Sequence, residues 1–205
     1  MKKNYSFVVV VVFFFTVSSF TKAQSSDPWN SYISVGYGFG NLPQAVLKTY
    51  ETYDDCNFKM MGPIFGKYEY AINEQIGFGV VFSYASANVS YTNKGVIIQK
   101  NPIVYYKEQI NWSSYSILMR FNWHFNKIGN KFDPYIGVGT GYREASWKYE
   151  DNDPNSDNSA SLFSFFPVGF ETTAGVRFMA TDFLGIYTEF GFAKAIVQFG
   201  VITKF

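Results

Sequence analysis

Glycine occupies every second position of the stretch PYIGVGTGY, where Gly137, Gly139 and Gly141 alternate with Ile136, Val138, Thr140 and Tyr142. Successive side chains of a β-strand point to opposite faces, so the three glycines share one face. Glycine weakens a strand interior and gives its neighbours nothing to pack against. A strand that commits a whole face to glycine therefore looks onto a space with no room for side chains.

The same period of two runs through most of the chain. Ile76, Phe78, Val80, Phe82 and Tyr84 alternate with Gly77, Gly79, Val81, Ser83 and Ala85. Tyr115, Ile117, Met119, Phe121 and Trp123 alternate with Ser116, Leu118, Arg120, Asn122 and His124. Comparable runs fall at 32–40, 62–70, 168–178, 184–192 and 197–205, which with 134–142 makes eight strands. Short turns at 71–75, 126–131 and 180–183 alternate with long polar connections at 41–59, 90–109 and 149–162. A short last hairpin near 193–195 breaks the pattern. Within 41–59, residues 43–50 offer a short helix with Pro43 in its first turn, or else an irregular lid. The expected fold is all-β, an eight-stranded antiparallel up-and-down barrel.

Two barrel types fit, and they point their faces opposite ways. A soluble, lipocalin-like binder packs its apolar face inside and needs Lys, Glu, Thr and Gln outside. A transmembrane barrel turns its apolar face to lipid and keeps the polar face within. Here the alternate positions are mostly Gly, Ser and Ala, which suit the narrow interior of an eight-stranded tube. The transmembrane barrel is the reading adopted. Aromatic residues, 21% of the chain, then find a place in interfacial girdles, with Tyr68, Tyr84, Trp112, Trp123 and Tyr142 assigned to the lipid-facing register.

The first residues fit export. Met1-Lys2-Lys3 precedes an apolar run over 7–17 and the small residue Ala23, the layout of a secretory signal peptide spanning 1–23. The barrel domain is then 24–205. Removing the three lysines of that leader leaves 14 basic and 16 acidic residues, which offers nucleic acid no basic footprint. Cys56 is the single cysteine, so no internal disulfide forms and its role stays unassigned.

The PYIGVGTGYR strand, the RFMATDFLGIYTEFGF hairpin and the terminal QFGVITKF resemble the small eight-stranded outer-membrane β-barrels of gram-negative bacteria, the OmpA/OmpX-like barrels. That resemblance implies residence in the outer membrane, with lipid and the barrel-insertion machinery as partners. It also implies that Phe199, Val201 and Phe205 form a C-terminal insertion signal, from which Thr203 departs. The family includes structural proteins, adhesins, weak pores and a few lipid-modifying enzymes, so it leaves activity open. With an even strand number both termini share one side, the periplasm, and the long loops lie outside.

The inward register holds six charges: Lys67, Glu69, Arg120, Glu171, Arg177 and Glu189. Charges in a confined interior persist only when paired and hydrogen-bonded, so a structural ion network is expected; a gate or proton path is its functional rival. His124 lies beside a short turn and too far from Ser114 and Ser116 to form a nucleophile–base pair; it reads as an interfacial polar residue. No His, Cys and acid set has metal-ligand spacing, and the acidic run 150–157 lacks the spacing of a calcium loop. No cofactor is implied. The expected function is non-enzymatic, a structural or surface-binding role carried by the loops 41–59, 90–109 and 149–162, with a small-solute channel as the alternative and a lipid-modifying enzyme or soluble binder behind it.

Overall fold

A computed structural model describes residues 31–53, 55–94, 105–125, 131–152, 159–163 and 166–205. The expected leader at 1–23, most of the 126–131 turn and residues 153–157 of the acidic run lie outside the described residues. The elements are β1 (Ser31–Phe39), α1 (Leu42–Lys48), β2 (Asn57–Ala71), β3 (Ile76–Lys94), β4 (Tyr105–His124), β5 (Phe132–Asp151), β6 (Ser159–Phe163), β7 (Val168–Met179), β8 (Leu184–Phe192) and β9 (Val197–Lys204). All pairings are antiparallel; strands pair with their chain neighbours except that β5 also pairs with β7, and β1 pairs with both β2 and β9, so the sheet closes on itself. Eight strands make the wall. The short β6 pairs with the far part of β5 and continues β7 beyond it. Among the described residues, closure pairs β1, β8 and β9 on both sides, the condition a sheet must meet to sit in lipid, while β6 pairs only with β5 and the 57–61 part of β2 only with β3.

The parity of the strands follows the sequence. Phe78, Val80 and Phe82 face out, while Gly79, Val81 and Ser83 face in and are buried. On β4, Ile117, Met119, Phe121 and Trp123 are exposed, whereas Ser116, Leu118, Arg120 and Asn122 are buried. From Tyr115 to Trp123 the strand runs roughly 26 Å, which barrel tilt reduces to a height of about 20 Å, most of the roughly 25 Å of a lipid-facing band. A β-bulge between Met61 and Ile64 resets β2 so that Lys67 and Glu69 point inward.

The strands are much longer on one side of the barrel than the sequence suggests. β3, β4 and β5 have 19, 20 and 20 residues against 9 for β1 and β8. Much of what reads as loop in 90–109 and 149–162 is strand, whereas 41–59 is mostly helix and 3-10 turn and enters β2 only at Asn57. The alternation does not stop there; it inverts. Beyond the ring of Tyr84, Tyr115 and Tyr142, the outward positions become Ser86, Asn88, Asn111, Ser113, Ser146 and Lys148. The inward ones become Ala85, Ala87, Val89 and Tyr91 on β3, Trp112 on β4 and Trp147 on β5. An apolar interior with a polar exterior is the pattern of a sheet leaving lipid for water. Trp112 is thus corrected from a lipid-facing position to an inward one: it shares parity with Ser114 and Ser116 and is buried at 2% exposure.

That second apolar interior is filled by α1. Asn41 caps the helix by accepting from the Gln44 amide at 3.1 Å, and Pro43 sits in the first turn. Leu47 packs into a cluster of Ala85, Ala87, Val89, Tyr91 and Trp112. The first long connection therefore turns back into the barrel mouth, and it does so as a helix followed by a 3-10 turn at Thr49–Thr52.

Candidate functional site

Two levels of the lumen carry organised side chains. Nearer the short turns, Arg120 uses every N–H of its guanidinium. Nε donates to Asn122 Oδ1 at 2.7 Å; Nη1 donates to Glu171 and Glu189, each at 3.1 Å; Nη2 donates to Thr173 at 2.7 Å and to Glu189 at 3.1 Å. Glu189 also receives Lys67 Nζ at 2.8 Å and the Tyr135 hydroxyl at 2.7 Å. Lys67 donates in addition to Gln198 Oε1 at 2.8 Å.

Asn122 links this group to a second one, since its amide nitrogen donates to Glu69. Glu69 pairs with Arg177 and stands 2.8 Å from His124 Nε2. The other ring nitrogen of His124 lies 2.9 Å from Asp133. With a carboxylate on each side the geometry suits an imidazolium, the only form of the ring that donates from both nitrogens. Four carboxylates then face Lys67, Arg120, Arg177 and His124. The guanidinium of Arg177 also lies over the rings of Tyr135 at 4.6 Å and Tyr32 at 4.8 Å.

All six charges read from the sequence meet in this cluster. His124 is corrected: it is buried at 4% exposure inside the lumen, not placed at the interface. Its parity with Arg120 and Asn122 carries that signal. Asp133 and Tyr135 were missed, although the inward parity of Gly137 places both on the lumen face. The void left within the cluster is about 20 Å³, room for one water molecule.

The glycines are the counterpart of these side chains. A Cβ on Gly137 would stand 2.1 Å from Arg120 Nη2, and one on Gly139 would stand 2.9 Å from Glu171 Cγ. On β7, a Cβ at Gly175 would lie 2.7 Å from the Tyr135 ring. The alternate glycines clear the wall against which the long polar groups lie.

The second level lies toward the long strands. Ser83 and Ser116 share a hydrogen bond of 2.6 Å, and Lys194, from the short last hairpin, donates to Ser114 at 2.9 Å. Asn41 ties α1 to that hairpin through the Lys194 carbonyl at 2.7 Å. Gln44 donates to the carbonyls of Met61, Gly62 and Ser86. At the top of this level burial, and then the neighbouring Glu108 carboxylate, raises the Tyr91 hydroxyl above its ordinary range. Ser114 and Ser116, near the middle of β4, thus have partners other than His124, which lies at the end of that strand.

Phe199 and Val201 lie exposed on the outer face, and Phe205 follows the end of β9. Cys56 is partly buried against the α1 cluster.

Among solved structures the chain is similar to Ail, the attachment invasion locus protein of Yersinia pestis, at 14% identity over 87% of this chain and 96% of that one, with a TM-score of 0.41. A structure of that protein in complex with the heparin analogue sucrose octasulfate matches at 15% identity, 87% and 96% coverage and a TM-score of 0.41. The N-terminal β-barrel domain of Pseudomonas aeruginosa OprF matches at 13% identity, 87% and 100% coverage and a TM-score of 0.40. No curated protein sequence matches the chain. A family model for the outer membrane protein β-barrel domain matches residues 7–199, so the chain belongs to that family of outer-membrane β-barrels.

Proposed function

We propose that this is a non-enzymatic outer-membrane barrel that presents its long-strand end to the cell exterior as a surface-binding or surface-stabilising structure, with both termini in the periplasm. The observation that carries this is the polarity inversion along β3, β4 and β5. Past Tyr84, Tyr115 and Tyr142 these strands form a sheet with its own apolar core and a polar outside, a rigid platform raised above the lipid. Binding surfaces positioned on such scaffolds are the common use of long connections.

The closed lumen supports this reading over a channel. A solute would have to pass both the ion cluster around Arg120 and the Leu47 cluster beneath α1. The side chains also favour a structural over a catalytic role, because His124 is held by two carboxylates and stands apart from the serines. The residues of the terminal strand, Phe199, Val201 and Phe205, serve as the insertion signal.

The test is topological and functional together. Protease added to intact cells cuts within 149–162 and spares 126–131. Cells lacking the protein differ in surface adhesion or envelope integrity while their lipid A mass is unchanged. Cleavage confined to the short turns would invert the orientation, a mass change in lipid A would restore the enzyme, and large stable conductance in planar bilayers would restore the channel.

A further inference from the structure

The outward face just beyond the tyrosine ring is hollow. Three serines, Ser86, Ser113 and Ser146, stand side by side across β3, β4 and β5. In the next row Lys59, Asn88, Asn111 and Lys148 stand side by side across β2 to β5. The small serine side chains leave an open depression of about 530 Å³, which also reaches Met61 and Glu150. Three strand spacings separate the two lysines, roughly 14 Å.

We propose that this hollow binds the phosphorylated sugar headgroup of a glycolipid in the surrounding leaflet. Position argues first. The hollow lies on the outer wall, in strand register directly above Tyr84 and Tyr115, which face lipid, with Phe82 and Ile117 below them. A molecule seated there has its polar part on the serine and lysine rows and any tail along the apolar band. A free solute would gain nothing from that continuity.

Chemistry argues second. Two cations at opposite ends suit a headgroup with separated negative charges. Among the described residues, neither lysine has an ion-pair partner within 4.0 Å. Between them lie hydroxyls and amides, donors and acceptors at once, and Glu150 adds an acceptor for sugar hydroxyls. Asn88 and Asn111 already share a hydrogen bond, which fixes the middle of the row. Charge alone would need only the lysines; the polar floor between them selects a sugar. The proposal rests on the lipid-facing reading of the lower barrel and not on any ligand of the loops.

The full chain, reconstituted in phosphatidylcholine nanodiscs containing lipid A, phosphatidylglycerol or neither, gives a direct measurement: the lipid that stays bound on transfer to detergent, counted by native mass spectrometry. The wild type retains lipid A in preference to phosphatidylglycerol. Replacing both lysines, Lys59→Gln with Lys148→Gln, weakens retention roughly thirtyfold. Ser113→Leu, which fills the hollow without touching a charge, weakens it as well. Lys131→Gln with Lys204→Gln, at the opposite end, leaves it unchanged. Each variant is checked for folding by its heat-modifiable gel band. Equal retention of both lipids, no retention by the wild type, indifference to the Lys59 and Lys148 pair or to Ser113→Leu, or loss on changing Lys131 and Lys204 would overturn the site. None of these results bears on whether the long-strand end binds an external partner.

Discussion

The guanidinium of Arg120 lies so close to the backbone of Gly137, on the neighbouring strand, that a single methyl group there would stand 2.1 Å from Nη2. Arg120 cannot retreat without abandoning one of five hydrogen bonds, because each of its N–H groups is engaged. The glycine and the arginine therefore form one structural unit, the first supplying the space the second requires.

Gly137→Ala is expected to destabilise the barrel by about 1–3 kcal/mol, the usual cost of overpacking a filled interior. It should lower the temperature at which the heat-modifiable gel band shifts. Gly66→Ala is the control, since no atom lies within 4 Å of the Cβ it would add, and the band should stay in place. Equal effects from the two would separate the glycines from the ion cluster.

Arg177→Leu leaves His124 as the one cation paired with Glu69 and Asp133 among the described residues, with Asn122 still donating to Glu69. Removing one partner of a buried pair costs on the order of 3–5 kcal/mol, and the band shift should move to a clearly lower temperature. Thr188→Leu changes an exposed position on the lipid face and should be nearly silent. The reverse pattern would place the charges outside the barrel.

Leu47→Ala removes the side chain that anchors α1 in the mouth, and a loss of roughly 2–5 kcal/mol is expected for a buried leucine. Because the lower cluster is untouched, the damage should be local. Limited proteolysis should open the segment around 48–53 while the band shift changes little, and planar bilayers should stay silent because Arg120 and its partners still fill the tube. Conductance in this variant would show that the ion cluster does not block passage.

Alkaline pH should loosen the far end through Tyr91. Its hydroxyl is raised by burial and by Glu108. A phenol whose folded value is raised contributes stability that is complete below about pH 10 and fades as pH climbs past that point. Tryptophan emission from Trp112 and Trp147 should therefore shift as pH rises above about 10 in the wild type, and the shift should be smaller in Tyr91→Phe. An unchanged alkaline slope in Tyr91→Phe would detach Tyr91 from the effect.

The fold was legible in the sequence because a strand has only two faces. Once Ile136 and Val138 are read as outward, Gly137 and Gly139 are inward, and the same counting assigns Lys67, Glu69, Arg120, Glu171, Arg177 and Glu189 to the lumen with no knowledge of neighbours. That counting also covers His124, Asp133, Tyr135 and Trp112. Proximity to a turn outweighs parity in the reading of His124 and aromatic character outweighs it for Trp112, while Asp133 and Tyr135, just before the glycine run, are not singled out.

Tertiary structure alone decided which inward groups meet. Glu69 on β2 reaches Arg177 on β7, 108 positions away in the chain, because closing and staggering eight tilted strands sets opposite walls at matching heights. No local pattern encodes that stagger. Strand length was hidden for a related reason: past Tyr84 and Tyr115 the environment changes from lipid to water, so the apolar face switches sides and a reading that expects apolar outside sees only a polar loop. The helix at Leu42–Lys48 carries its own start signal in Asn41 and Pro43, but its seat inside the mouth depends on the apolar interior that Ala87, Val89, Tyr91 and Trp112 create together. Alternation along a strand is a local consequence of backbone geometry, whereas the contents of the lumen arise from closure of the whole sheet.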